Sequence, residues 1–214
     1  MINLSNRLQS LVPFIDKEDN VVDVGCDHGY LSIYLKENDL VKSVIASDIN
    51  ENALKSAIKN IQDSNLDIPT IVSDGIKDVD ISNVNCLVIS GMGTMTVLHI
   101  LEDSNKLKHI NKIIVQSNNN HDILRRELNK KGYYLEQEDA VYDRGKWYLS
   151  MLFVKTNKKN TDLEIKYGLL KNHDYIRYLI DKYTSINRRI PGVEDREENN
   201  KVIHDLKEIL REKS

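Results

Sequence analysis

The sequence has little that would place the protein in a membrane or outside the cell. No apolar run approaches the roughly 18 residues that cross a bilayer, and the mean hydropathy is −0.46. No basic region followed by an apolar core stands at the N-terminus, so we expect no signal peptide. Only two cysteines, Cys26 and Cys86, occur among the 214 residues. We expect both to be small buried residues in a reducing cytoplasm.

The sequence also has no excess of positive charge and no group of residues spaced as metal ligands. The formal net charge of −3 gives no overall signature of a nucleic-acid-binding protein. Residues 157–214 have 13 Lys and Arg against 11 Asp and Glu, which leaves 17 against 22 in residues 1–156. No group of His, Cys and carboxylate residues has ligand spacing, so we expect no metal. The length allows one domain with its own core and a short appendage.

Short apolar runs alternate with helical patterns between residues 20 and 130. The runs predict strands at 21–24, 44–47, 70–72, 86–89 and 113–115, and the patterns predict helices at 30–37, 51–62, 95–101 and 123–130. Two longer runs, at 133–141 and 147–155, flank a turn at 143–146 and predict a β-hairpin. This order predicts an α/β protein with the Rossmann-like class I methyltransferase fold, whose mainly parallel seven-stranded sheet is closed at one edge by the hairpin.

Two further segments flank the predicted sheet. Residues 3–15 have apolar residues at helical spacing, which predicts an amphipathic helix packed on the sheet. Beyond residue 157, two apolar stripes are separated by Pro191 and Gly192, which predicts an antiparallel helical hairpin. We therefore divide the chain into a cofactor-binding domain at 1–156 and an α-helical appendage at 157–214.

The turn after the first predicted strand, residues 25–29, is the most informative stretch. Its glycines, Gly25 and Gly29, let the chain pass close to a cofactor, as in nucleotide-binding α/β proteins. A dinucleotide site needs a glycine at position 27, where this chain has Asp27, a carboxylate that would repel a pyrophosphate. A carboxylate suits a cofactor with a cationic end, such as S-adenosylmethionine.

Three more candidate loops, which begin at Asp48, Asp74 and Ser90, follow the next three predicted strands, where ligands bind in open α/β sheets. Asp48 is suited to accept hydrogen bonds from ribose hydroxyl groups, which would serve a nicotinamide cofactor equally well. Asp74 is suited to accept one from an adenine amino group, which favours S-adenosylmethionine. Both residues are also common as caps and in turns. The predicted cofactor-binding residues are Gly25, Cys26, Asp27, Gly29, Asp48, Ile49, Asp74, Gly75, Ser90, Gly91, Met92 and Gly93.

Several short motifs within residues 4–155 resemble those of one known family. Residues 4–8 read LSNRL, similar to the family's LSxRL, and residues 23–30 read DVGCDHGY, similar to its DIGxDHxY. Residues 91–93 match its GMG, residues 116–118 read QSN where the family has QPN, and residues 145–148 read GKWY, similar to its GKxY. Together these motifs resemble the bacterial tRNA (adenine-22-N1)-methyltransferases. Ser117 replaces the family's proline, Leu149 stands where an acid is usual, and the tail is short.

The resemblance implies transfer of a methyl group from S-adenosylmethionine to N1 of adenine 22 in tRNA. N1 already carries a lone pair, so catalysis is mainly positioning, and the base must first leave its stack. The predicted catalytic residues are Asp27, His28 and Asn118, with Asp27 binding the methionine ammonium or offsetting charge on the adenine. The predicted substrate-binding residues are Arg7, Tyr30, Arg125, Arg144, Lys146, Arg188 and Arg189. The appendage is expected to clamp the tRNA.

Two other functions remain open on the sequence. An S-adenosylmethionine-dependent methyltransferase acting on another RNA or on a small molecule would share every cofactor feature. A non-catalytic binding module that uses the appendage for a protein partner would fit the apolar stripes but not the cofactor turn. With tRNA as the partner, we expect a cytoplasmic protein without a membrane or metal partner, and a monomer.

Overall fold

The computed structural model describes residues 2–190 and 192–212. The chain forms two compact units, residues 1–168 and residues 169–214. The first unit contains one sheet with the helices that cover it, and the second contains two helices. Within the described residues, no helix is long and apolar enough to cross a membrane.

The sheet of the first unit has seven strands in the order β3-β2-β1-β4-β5-β7-β6. The strands are β1 (Asn20–Val24), β2 (Ser43–Asp48), β3 (Thr70–Val72), β4 (Cys86–Met92), β5 (Lys112–Ser117), β6 (Tyr133–Asp143) and β7 (Lys146–Lys155). β1 to β5 pair in parallel, whereas β7 is antiparallel to both β5 and β6. The predicted Rossmann-like sheet, mainly parallel and closed at one edge by a hairpin, is confirmed.

The helices alternate with these strands. They are α1 (Asn6–Gln9), α2 (Tyr30–Glu37), α3 (Glu51–Asp63), α4 (Thr94–Ile100), α5 (His121–Lys130), α6 (Asp162–Tyr167), α7 (His173–Asn187) and α8 (Val193–Glu212). The ends of α2 to α5 lie within two residues of their predicted positions. The predicted domain division after residue 156 falls between β7 and α6, earlier than the boundary between the two compact units.

The middle strands are apolar on both faces because helices cover both faces of a parallel sheet. Residues 87–89 of β4 and 113–115 of β5 are fully buried. Helix α3 begins after Asn50, whose side chain accepts hydrogen bonds from the amides of Asn52 and Ala53. Since the helices cover the faces, the strand ends remain the accessible part of the sheet.

The N-terminal segment differs from the single helix predicted at 3–15. The structure has only α1 and a separate 3-10 turn at Val12–Phe14. Pro13 lies in this turn, and because proline has no amide hydrogen and its ring crowds the preceding turn, it ends an α-helix. The hydroxyl of Ser10 instead donates to the carbonyl of Arg7 at 2.8 Å and lies 2.7 Å from the hydroxyl of Ser150 on β7.

The second unit consists of α7 and α8, which pack against each other. Helix α7 begins after Asn172, whose side chain accepts hydrogen bonds from the amides of Asp174 and Tyr175. Each helix has buried apolar residues, Tyr175 and Ile176 on α7 and Val202 and Leu206 on α8. A pair of C-terminal helices was predicted, although Pro191, the predicted break between them, lies outside the described residues.

Candidate active site

A cleft of about 710 Å³, named here the first cleft, opens where the carboxyl ends of β1, β2 and β4 meet. Ligands of open α/β sheets bind at this edge, so a cofactor is expected there. Ten of the twelve predicted cofactor-binding residues line it: Gly25, Cys26, Asp27, Asp48, Ile49, Asp74, Gly75, Ser90, Gly91 and Met92. Besides Asp27, four predicted catalytic or substrate-binding residues line the same cleft: Arg7, His28, Tyr30 and Arg144.

Two glycines predicted to bind the cofactor do not line the first cleft. Gly29 precedes α2 with a φ of +72°, and a Cβ built on it would lie 3.1 Å from Cβ of Ala57. Gly93 precedes α4, where Oδ1 of Asn119 accepts a hydrogen bond from the amide of Thr94 at 3.1 Å. Both glycines stand at the start of a helix, and their contacts with the cofactor stay predictions.

The turn after β1, residues 25–29, has a backbone that a cofactor could approach closely. Gly25 has a φ of +71°, a left-handed conformation that favours glycine, and a Cβ built on it would displace the end of the Met92 side chain. Asp27 also has a left-handed backbone, with a φ of 51°, a conformation that Asp tolerates better than most residues. Its side chain is 71% exposed, and Oδ1 lies 3.7 Å from Nε2 of His28. The rings of His28 and Tyr30 stack with centroids 5.5 Å apart.

Asp48 ends β2 with a carboxylate that the backbone holds in place. Oδ2 accepts a hydrogen bond from the amide of Asp27 at 3.0 Å, and Oδ1 accepts one from the amide of Asn50 at 2.8 Å. The side chain of Ile49 next to it is exposed and lines the first cleft. An oriented carboxylate beside an exposed apolar side chain suits a ribose with a flat aromatic base.

The third acidic residue, Asp74, lies in the loop after β3. Its carboxylate forms an ion pair with Lys77, which holds the pKa of Asp74 below its usual value. His99 on α4 lies 3.9 Å from the same carboxylate and also lines the first cleft. A carboxylate that stays ionised can accept a hydrogen bond from an amino group.

Asp23 on β1 lines the first cleft but was not among the predicted site residues. It is buried, and the hydroxyl of Ser32 donates a hydrogen bond to its Oδ2 at 2.7 Å. Burial raises the pKa of Asp23 to about 6, although the hydrogen bonds from Ser32 act in the opposite direction. Burial also raises the pKa of the nearby Cys26 thiol well above its usual value, so this thiol is not a nucleophile.

A second cleft of about 500 Å³ adjoins the first. The two clefts share Arg7, Gly91 and Tyr148. The remaining residues of the second cleft are Ser117, Asn118, His121, Lys146 and Trp147. The predicted catalytic residues are thus divided, since Asp27 and His28 line the first cleft whereas Asn118 lines the second.

The loop that carries Asn118 is fixed by hydrogen bonds. The amide of Asn118 donates to the carbonyl of Met92 at 2.9 Å, and its Nδ2 donates to the carbonyl of Gly91 at 2.9 Å. The hydroxyl of Ser117, which stands where the family has proline, lies 3.1 Å from Oγ1 of Thr94. The two hydrogen bonds of Asn118 attach the loop after β5 to the end of β4, and the Ser117 contact attaches the end of β5 to the start of α4.

Arg7 is held where the two clefts meet. Its amide donates to Oδ2 of Asp143 at 3.3 Å, and Nη1 donates to Oε1 of Gln116 at 3.4 Å. Gln116 is fully buried and donates from Nε2 to the carbonyl of Arg7 at 3.0 Å. The guanidinium of Arg7 lies 5.8 Å from the ring centroid of Tyr148, a cation–π distance. Sequence reasoning missed Tyr148 as a site residue, although the GKWY motif contains it.

The predicted basic contacts fall into three environments. Lys146 lines the second cleft and Arg144 the first, on either side of the β6–β7 turn. Arg188 and Arg189 are exposed in the second unit at the end of α7. Arg125 is buried and paired with Glu138 on β6, so its predicted role as a substrate contact is corrected. Among the described residues, no cluster of His, Cys and carboxylate groups is arranged to hold a metal ion.

A mainly parallel sheet closed by an antiparallel hairpin, with a glycine turn and acidic residues at its strand ends, defines a methyltransferase of Rossmann-like fold. Residues 4–151 match the family described as methyltransferase domain. A putative tRNA methyltransferase of Mycoplasma genitalium is 32% identical over 72% of this chain and 68% of its own length. The tRNA (adenine(22)-N(1))-methyltransferase of Bacillus subtilis is 31% identical over 69% of this chain and 63% of its own length.

A solved structure matches nearly the whole chain. TrmK of M. capricolum, in complex with S-adenosyl-homocysteine, has a TM-score of 0.83 and 31% identity, and covers 97% of this chain and 98% of its own. The chain spans about two thirds of the length of the curated relatives it matches. It belongs to the methyltransferase-domain family and, within it, to the bacterial tRNA (adenine-22-N1)-methyltransferases.

Proposed function

We propose that the protein transfers a methyl group from S-adenosylmethionine to N1 of adenine 22 in tRNA. The observation that carries this proposal is the first cleft, which brings Gly25, Asp27 and Asp48 to one edge of the sheet. Membership of the tRNA methyltransferase family supports the same reaction, since the Bacillus subtilis relative is named for it.

The residues of the first cleft fit S-adenosylmethionine. The cleft volume of about 710 Å³ lies within the usual range for ligand sites. Gly25 has no side chain where the cofactor must approach the backbone, and the exposed carboxylate of Asp27 would attract the methionine ammonium. When bound, this cofactor supplies an electrophilic methyl group on a sulfonium.

The remaining acidic residues, Asp48 and Asp74, bind and orient the ribose and the adenine of the cofactor. Asp48 accepts hydrogen bonds from the two ribose hydroxyl groups, because its backbone partners leave lone pairs on both oxygens. Asp74, kept ionised by Lys77, accepts a hydrogen bond from the adenine amino group of the cofactor. No residue has to remove a proton from N1, so positioning supplies the rate enhancement, worth roughly 7–11 kcal/mol in favourable cases.

The acceptor is a folded tRNA, which requires contacts to phosphate groups. Arg144 and Lys146 on the β6–β7 hairpin line the clefts. Arg188 and Arg189 are exposed in the second unit and are the phosphate contacts expected there. The second unit clamps the tRNA, and the enzyme acts as a monomer in the cytoplasm, where its substrate is made. Phosphate contacts of this kind weaken steeply as the salt concentration rises.

Two measurements test the proposal. Calorimetry should detect binding of S-adenosylmethionine, and a labelled methyl group should appear as 1-methyladenosine in unmodified tRNA. A tRNA with guanine at position 22 is the matched control and should remain unlabelled. Cofactor binding without transfer to any tRNA would overturn the tRNA assignment, and transfer to another RNA or to a small molecule would replace it.

A further inference from the structure

The two clefts meet at Gly91, which lines both of them together with Arg7 and Tyr148. Gly91 has a φ of +79° and no side chain. A Cβ built on it would lie 3.1 Å from Nη1 of Arg7, so a larger residue would crowd the junction. A base held in the second cleft would therefore lie next to a cofactor held in the first.

The second cleft carries a hydrogen-bond acceptor next to Gly91. Nδ2 of Asn118 is engaged by the carbonyl of Gly91, which fixes the amide and leaves Oδ1 as the atom that can accept. Among residues 2–190 and 192–212, Oδ1 has no hydrogen-bond partner within the protein. The exocyclic N6 of adenine donates a hydrogen bond, whereas O6 of guanine accepts one.

The same cleft carries an aromatic surface. Tyr148 is half-buried on β7 and lies beside the guanidinium of Arg7, which is itself anchored by the buried Gln116. A base taken out of its stack needs such a surface to replace the contacts it has lost. Because Tyr148 borders both clefts, a base stacked on it would lie at the junction.

We propose that the second cleft holds the extruded target adenine, with Tyr148 stacking on the base and Oδ1 of Asn118 accepting a hydrogen bond from N6. This assignment rests on the proposed tRNA methyltransferase function. It retains the predicted catalytic residue Asn118 and adds Tyr148, whereas His28 and Tyr30, which were also predicted as site residues, line the first cleft.

The stacking role is tested by single-turnover methyl transfer to tRNA at saturating cofactor. Tyr148→Leu should lower the rate roughly 10- to 100-fold, the usual size of a lost base–aromatic stack. Tyr148→Phe keeps the ring and should restore most of the rate. Tyr134→Leu removes an aromatic from the opposite end of the same hairpin and should have no effect. Equal rates for wild type and Tyr148→Leu, or equal losses for the Leu and Phe variants, would overturn the role.

The hydrogen bond to N6 is tested from the substrate side. A tRNA with purine in place of adenine 22 lacks the amino group. Asn118→Ala should lose roughly tenfold in rate on the adenine substrate and almost nothing on the purine substrate, because two changes to one contact are not additive. Equal losses on both substrates would show that Asn118 does not act through N6.

Failure of this inference is distinguishable from failure of the proposed function. If wild-type enzyme does not methylate adenine 22 in unmodified tRNA, the proposed function fails. If it does, and the Tyr148 and Asn118 variants give the overturning results, only the adenine-binding role of the second cleft fails. Calorimetry on the same variants should show cofactor affinity close to that of the wild type, which excludes damage to the first cleft.

Discussion

The backbone amide of Asp27 donates a hydrogen bond to Oδ2 of Asp48 at 3.0 Å. The turn after β1 is therefore attached to the end of β2, and the carboxylate proposed to bind ribose also shapes the glycine turn. Oδ1 of Asp48 accepts a second hydrogen bond, from the amide of Asn50 at 2.8 Å. One side chain thus sets the geometry on both sides of the ribose position.

Asp48→Ala should weaken S-adenosylmethionine binding roughly 10- to 100-fold, since hydrogen bonds to a charged group contribute about 1.5–3 kcal/mol. Asp48→Asn should weaken it as well, because the amide nitrogen cannot accept from a backbone donor. Calorimetry measures both affinities. Asp67→Ala removes an exposed carboxylate beyond α3 and serves as the control. Affinity in Asp48→Ala equal to that of the wild type would refute the ribose role.

Asp27→Gly separates the carboxylate of Asp27 from its backbone. Glycine adopts a φ of 51° without strain, so the turn and the thermal stability should be retained. If Asp27 binds the ammonium, affinity for S-adenosylmethionine and S-adenosylhomocysteine should fall together, because both carry that group. If it offsets charge on the adenine, transfer should slow while both affinities stay unchanged. An unchanged rate with unchanged affinities would exclude both roles.

The cofactor loops could be predicted from sequence because their signals are local. The apolar runs before Gly25 and Asp48 mark largely buried strands, and the short run before Asp74 marks an edge strand. Parallel strands bring their carboxyl ends to one edge of the sheet. Helix α3 was likewise predictable, since its apolar face repeats at helical spacing.

On the acceptor side, Arg7, Asn118 and Lys146 were predicted as site residues, but the contacts that bring them together could not be, because the partners are distant in sequence. Arg7 lies beside Tyr148 only after the N-terminal segment packs on the hairpin. From the sequence, Arg125 resembles an exposed basic residue of a helix. In the structure it is buried, because it pairs with Glu138 on β6. The division of Asp27 and Asn118 between two clefts depends on how the β5 loop is attached to β4.

Arg125→Leu should destabilise the first unit by about 3–5 kcal/mol, because it leaves the buried carboxylate of Glu138 without its cation. Replacing both partners with leucine should recover most of this loss. Denaturant unfolding measures each variant, and Arg126→Leu, at an exposed neighbouring position, is the control. A loss from Arg125→Leu no larger than that from Arg126→Leu would show that the pair contributes little.

The buried carboxyl of Asp23 should make stability depend on pH. Burial raises its pKa to about 6, whereas an unfolded chain has about 3.9. The folded protein therefore holds this proton more tightly than the unfolded chain. The free energy of unfolding should fall by about 3 kcal/mol between about pH 4 and pH 6 and be constant above that range. Asp23→Asn still accepts from Ser32 but does not titrate. In urea unfolding, the free energy of unfolding of the wild type minus that of Asp23→Asn should decrease from about pH 4 to pH 6. If this difference is constant or rises with pH, the pKa of Asp23 is not raised.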